Sequence, residues 1–195
     1  MIRSSDGGHP MKEPKEAVRH PWTIRPERPE DAPLVEALVA AGFGPGRYAK
    51  TAYRLREGVA PEAGLSFVAV ENGILRGSVR FWPVAVGAEK SLLLGPLAVQ
   101  SDQRGRGIGI DLMKTGIEAA KKAGWKSIIL VGDAPYYARV GFAPLPRGRV
   151  KFPGPVDAGR ILGLALADGA LDALAGPVRR ARIDDPVCAA DAPLA

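Results

Sequence analysis

Arg104-Gly105-Arg106-Gly107-Ile108-Gly109 joins an apolar run (residues 91–99, SLLLGPLAV) to a segment of helical period, and this junction constrains the fold more than any other feature. The run is too apolar for a half-exposed strand and belongs at a sheet centre. In residues 107–123, Ile108, Leu112, Met113, Ile117, Ala119 and Ala120 recur every three to four positions, with Asp111, Lys114, Glu118, Lys121 and Lys122 elsewhere. That spacing predicts an amphipathic helix, which Gly124 closes. Residues 127–131 (SIILV) read as a second buried strand, so strand, helix and strand form a right-handed parallel unit. Pro96 cannot donate to a ladder, and Gly95-Pro96 inside the first strand predicts a bulge or a point where pairing stops.

Glycines at the junction let the backbone turn tightly and approach a ligand, and the first amides of a helix have no internal acceptors. Two readings fit: a phosphate cradle with Arg104 and Arg106 at its rim, or a glycine-rich cap with solvated arginines. The dinucleotide fingerprint fails in both registers, because its last glycine falls on Ile110 or on Leu112. A nucleotide-triphosphate loop fails too, since Lys114-Thr115 follows Met113 rather than a glycine. Charge distribution favours a compact anion. The chain's net charge is +6, and residues 101–154 alone carry 10 basic against 4 acidic groups, an excess equal to that of the whole chain. These charges are interleaved with a buried helix and strand and lack an aromatic stacking series, which argues against nucleic acid.

The rest of the chain alternates strand and helix. Residues 22–25 are a strand candidate, residues 29–33 a helix start, and Leu34, Val35, Leu38 and Val39 keep helical spacing until Gly42 ends the run. A second helix is expected over residues 48–56, a hairpin over 66–84 turning at Asn72-Gly73, a short helix over 134–139 and a final strand over 161–167. Residues 1–20 and 184–195 lack a period and are expected to be flexible segments flanking one domain, residues 21–183. The lone cysteine, Cys188, falls in the tail, which excludes an internal disulfide and a cysteine metal cluster. No membrane span or secretory leader is apparent, so a cytoplasmic protein is expected.

The pattern Arg-x-x-Gly-x-Gly after a strand, in LGPLAVQSDQRGRGIG, followed by GDAPYYARVGF, resembles the GNAT superfamily of acyl-CoA-dependent N-acyltransferases. The resemblance spans roughly residues 22–143 and is nearest to the bacterial branch usually called YhbS-like. It implies an α/β fold with a mixed, largely antiparallel sheet whose fourth and fifth strands splay apart around acyl-CoA. It further implies that the amides of Arg104, Gly105, Arg106, Gly107, Ile108 and Gly109 hold the pyrophosphate, while the backbone of Leu97, Ala98 and Val99 pairs with the pantetheine arm. A splay suits such a ligand physically, because unpaired strand groups need a partner and pantetheine is a strand-like chain of two amides.

By the same resemblance Tyr137, four residues before the Gly141-Phe142 pair, is a general acid at the coenzyme sulfur. A phenol of ordinary pKa about 10 can serve a departing thiolate. Tyr136 is read as a packing or substrate-binding residue, and Asp133 as a helix cap rather than a base. Nothing directs Glu71 or Glu89 inward, and His9 and His20 are assigned no role. The expected activity is transfer of an acetyl group from acetyl-CoA to a primary amine by direct attack in a ternary complex, without metal or covalent enzyme intermediate. The alternative is a non-catalytic acyl-CoA sensor or interaction module on the same fold. The acceptor cannot be read from these motifs, and a homodimer is compatible with the family.

Overall fold

Two buried serines set where the sheet is closed. In the computed structural model, which describes residues 20–46 and 51–181, Ser127 Oγ donates to Ser91 Oγ at 2.9 Å and Ser91 Oγ donates to the Ser127 carbonyl at 3.2 Å. The clasp joins β4 (Glu89–Val99) to β5 (Ser127–Val131). Above it the two strands pair in parallel at only two positions, Leu92 with Ile128 and Leu93 with Ile129. From there β4 continues to Val99 with no pairing to β5, so the sheet opens.

Around this opening the strand order is β1-β2-β3-β4-β5-β8-β6, with β1 (Thr23–Pro26), β2 (Ser66–Glu71), β3 (Ile74–Val86), β6 (Ala143–Pro144) and β8 (Ile161–Ala165). All of these neighbours are antiparallel except β4 and β5. The Asn72-Gly73 turn links β2 to β3 as expected, with φ of 51° and 77° at the two residues. Helix α1 (Ala32–Phe43) runs past Gly42 and stops at Gly44, whose amide donates to the Ala40 carbonyl. The described helix α2 is only Thr51–Arg54, and Tyr48, where the second helix was expected to start, lies outside the described residues. Residues 134–139 divide into α4 (Ala134–Tyr137) and a 3-10 turn. The expected final strand ends at Ala165, and a further strand, β9 (Gly176–Arg180), pairs with β3 and with β7 (Val150–Lys151). Its sequence, GPVRR, hides it: glycine, proline and two arginines lack the apolar alternation of a strand, and its pairing with β3 and β7 is what defines it.

A bulge in β4 sorts side chains between the two faces. Arg80 of β3 faces the break in register where Gly95 and Pro96 fit between the pairs Phe81–Leu94 and Val79–Leu97. Before the break, Leu92 and Leu94 pack with helix α3 (Ile108–Lys122), and Leu93 joins Leu55 and Trp82 on the opposite face. After it the parity is inverted, so Leu97 and Val99 face α3 while Ala98 meets Val35 and Val39 of α1. One extra residue produces that switch, and the pleat alone could not. Helix α3 lies close on β3: a Cβ at Gly116 would stand 2.3 Å from the Phe81 ring, so glycine is required for this approach.

The entry to α1 is pinned electrostatically. Asp31 accepts from Arg25 Nη1 and Nη2 at 2.6 and 2.8 Å and from the Arg28 amide at 2.8 Å. The guanidinium of Arg25 holds the Asp31 carboxyl down at about 2. Because the folded-state pKa is depressed, this stabilisation is present above the unfolded value and is lost as pH falls toward 2. Asp31→Asn is therefore expected to lower unfolding free energy at pH 7 by about 2 kcal/mol, with the difference from the parent shrinking as pH drops below 4 in chemical denaturation.

Candidate active site

Beyond Leu93 and Ile129 the parted strands border a cavity of about 1090 Å³. Leu97, Ala98 and Val99 line it along β4, and their backbone pairs with β3 on the other edge only. At its upper end stand Arg104, Gly105, Gly107, Ile108 and Gly109. Among the described residues, no amide from Arg104 to Gly107 donates to a backbone carbonyl, and those of Ile108 and Gly109 open the helix, ahead of any helical acceptor. Gly107, the N-cap of α3, takes φ of 102°, a left-handed conformation that glycine adopts without strain. The positive end of the α3 dipole adds to the same spot.

The two arginines of the motif diverge. Arg104 is exposed and borders the cavity. Arg106 does not line it; Nη1 and Nη2 donate to Glu71 at 3.0 and 2.7 Å, a further bond reaches Gln103, and the guanidinium lies 5.2 Å from the Trp22 ring centre. Hydrogen bonding to Arg106 lowers the Glu71 pKa, and Arg76 stands 3.3 Å away on the same carboxylate. The expectation that Arg106 adds free charge at the rim is corrected by this pairing, and Glu71 proves to be directed at the motif after all. Trp22 contributes a second anchor, since its Nε1 donates to Asp111 at 3.0 Å in the first turn of α3. His20, expected within the flexible start, stacks on Trp22 with ring centres 4.5 Å apart, while His9 and Cys188 lie outside the described residues.

Across the opening, the end of β5 leads into α4 and the two tyrosines. The Tyr137 ring covers Gly132 so closely that a Cβ there would stand 2.2 Å from its Cε2. It meets Tyr136 and Phe142 edge-on, with centres 5.2 and 6.0 Å away. Burial, then Tyr136 and Asp133, push the Tyr137 hydroxyl up to about 12. It therefore stays protonated at every physiological pH and is suited to donate a proton or hydrogen bond rather than to act as a base. Tyr136 reaches the other wall: its hydroxyl stands 2.3 Å from where a Cβ on Gly109 would be. Asp133 does occupy the N-cap position of α4, but its carboxylate makes no capping bond and pairs instead with Arg160 at 3.2 Å.

No group of acidic, histidine or cysteine side chains among the described residues could hold a metal. No helix there is long and apolar enough to cross a membrane. The sequence profile of the Acetyltransferase (GNAT) family matches residues 33–142, a span that contains the opening, the glycine turn and both tyrosines. This chain belongs to that family. It is 33% identical to the uncharacterized N-acetyltransferase YhbS of Escherichia coli K12 over 159 residues, covering 80% of this chain and 93% of the relative. The crystal structure of YhbS from Escherichia coli in complex with CoA matches with a TM-score of 0.68 and 31% identity, covering 87% and 93% of the two chains. A Brucella melitensis family acetyltransferase in complex with acetyl-CoA matches at 0.63 and 29%, covering 82% and 96%.

For this acetyltransferase the arginine pairing carries a direct expectation. Arg106→Met strips the nearly buried Glu71 of its bidentate partner and should lower the melting temperature by several degrees. Arg104→Ala, which removes an exposed side chain, should leave it unchanged. Thermal unfolding followed by circular dichroism checks both.

Proposed function

We propose that this chain acetylates a primary amine by direct attack on acetyl-CoA, with both substrates bound together in the cavity and Tyr137 as the donor at the departing sulfur. The opening between β4 and β5 carries this reading. It offers a row of strand groups at Leu97, Ala98 and Val99 for the pantetheine amides, ending at the cluster of free amides from Arg104 to Gly109 for the pyrophosphate. The relatives crystallised with CoA and acetyl-CoA support the same ligand here. Arg104 supplies exposed charge at the rim, and Arg106 acts indirectly by holding the turn on Glu71.

In the reaction, the amine nitrogen bonds to the thioester carbonyl carbon, and the carbon–sulfur bond then breaks with its electron pair leaving on sulfur. The adduct nitrogen loses its extra proton, and the thiolate is stabilised by the Tyr137 hydroxyl. A thiol's ordinary pKa is about 8.5, so outright transfer from a phenol at about 12 is uphill by roughly 5 kcal/mol. Tyr137 therefore serves by lending its proton in a hydrogen bond, and the proton that finally neutralises the thiolate comes from the adduct ammonium through water. Retention of a buried phenol at this place supports an enzyme over a non-catalytic sensor, which would not need it.

Tyr137→Phe is expected to lower kcat about 100-fold with little change in the dissociation constant for acetyl-CoA, measured by thiol release and by calorimetry. Because the phenol remains protonated, kcat/KM of the parent should rise with deprotonation of the amine and show no falling limb up to pH 10. An unchanged kcat in the variant would remove Tyr137 from the reaction. Arg104→Ala should weaken acetyl-CoA binding about fivefold at unchanged kcat, the size of one exposed ionic contact.

A further inference from the structure

Arg56 differs from the other partly or wholly buried arginines of the cavity wall. Arg80 is held by Glu27 and Glu36, the latter at 2.7 Å. Among the described residues no acidic side chain pairs with Arg56, and the groups that act on it electrostatically are Tyr137, Tyr53 and Arg80. Burial pushes its guanidinium down to about 10. Its Nε is sealed from solvent and donates to nothing, and Trp82 Nε1, in the same wall, is likewise without an acceptor. Those two atoms face no open space, but the Nη groups at the end of the Arg56 fork border the cavity and have no side-chain partner among the described residues, so it is the end of the fork that can take an acceptor group.

Position decides whose anion this is. Arg56 Nη2 stands 2.9 Å from where a Cβ on Gly95 would be, at the β4 bulge. Gly95 follows Leu93 on the face shared with Leu55, Trp82 and α1, whereas the phosphate-binding amides open α3 on the other face. Four strand residues, roughly 13 Å, also separate Gly95 from Val99, before the glycine turn begins. Only the uncharged arm and the thioester of the coenzyme would pass at this level. Arg56 and Tyr137 line the same cavity and act on each other electrostatically, so an anion held at Arg56 shares that cavity with the Tyr137 hydroxyl.

Resting on the acetyl-transfer reading above, we propose that Arg56 receives an oxyanion of the acceptor, so that the amine acetylated by this chain carries a carboxylate close to its amino group. The planar guanidinium fork matches a carboxylate in geometry. One uncompensated buried cation also matches a single negative charge, where a phosphate monoester would bring nearly two.

The test pairs amines that differ only at the anion: alanine with alaninamide and lysine with cadaverine, each assayed by thiol release from acetyl-CoA, alongside calorimetric acetyl-CoA binding. The parent should favour the carboxylate member in kcat/KM by roughly 50-fold. Arg56→Met should abolish that preference and Arg56→Lys should keep part of it, with acetyl-CoA affinity retained in both as the check on folding. Equal use of both members, a preference that survives in Arg56→Met, or no turnover of either series by a protein that binds acetyl-CoA would each overturn the role of Arg56 while leaving coenzyme binding intact. Failure of the parent to bind acetyl-CoA would instead overturn the acetyl-transfer reading on which this inference rests.

Discussion

The parting of β4 from β5 is the constraint on which the rest of the molecule depends. Parallel neighbours in a buried sheet ordinarily pair along their length, because an unpaired amide or carbonyl away from water is costly. Here pairing is clasped at its base by Ser91 and Ser127, lasts for two residue pairs and stops. What stops it is local. Gly95 and Pro96 insert the extra length that turns β4 over, so that the strand leaves the clasp with one register toward its neighbours and reaches the glycine turn with another. The unpaired edge is then available to a ligand that is itself an extended chain of amides.

The same bulge decides which residues of β4 face each side of the sheet. Because it inverts the parity of β4, the strand presents Leu97 and Val99 to α3 and Ala98 to α1, with Gly95 left bare beneath Arg56. The start of α3 and Arg56 thereby fall on opposite faces of β4, and both border the cavity in which the Tyr137 ring covers Gly132. Rigidity at the glycine turn comes from outside the cavity. Arg106 on Glu71 and Trp22 on Asp111 tie the start of α3 to β1 and β2, so that its free amides keep their aim without a side chain in the way.

Features governed by local chemistry were legible in the chain. The apolar run, the helical period of α3, the Asn72-Gly73 turn and the glycine junction each depend on residues a few positions apart, and the two strands flanking α3 follow from them. Gly95-Pro96 could be read as an interruption because proline lacks the donor any strand position needs. What escaped depends on distant partners. Arg106 looks like free charge until Glu71, 35 residues earlier, is folded against it. Asp133 looks like a cap until Arg160 claims it, and β9 is unreadable without β3 to pair with. Arg56 carried no signal at all, since an arginine in a polar stretch reads as solvated, and only the fold reveals that no acidic side chain among the described residues pairs with it.

That last contrast bears on how acceptor choice is encoded. On the proposed reading the coenzyme meets mostly backbone: amides, a helix dipole and strand edges, with glycine demanded at a few points. On the same reading the acceptor meets side chains on α1, α2 and the turn after it, elements held to the sheet by apolar contacts such as Val35 on Ala98 and Leu55 on Trp82 rather than by ladder bonds. Substitutions there alter a pocket without disturbing the strand register. Positive φ at Gly105 and Gly107, 81° and 102°, fixes the turn by backbone conformation, whereas Arg56 meets the bulge at Gly95 through its side chain alone, so on this reading a change of charge at Arg56 would alter the class of amine accepted and leave the turn as it is.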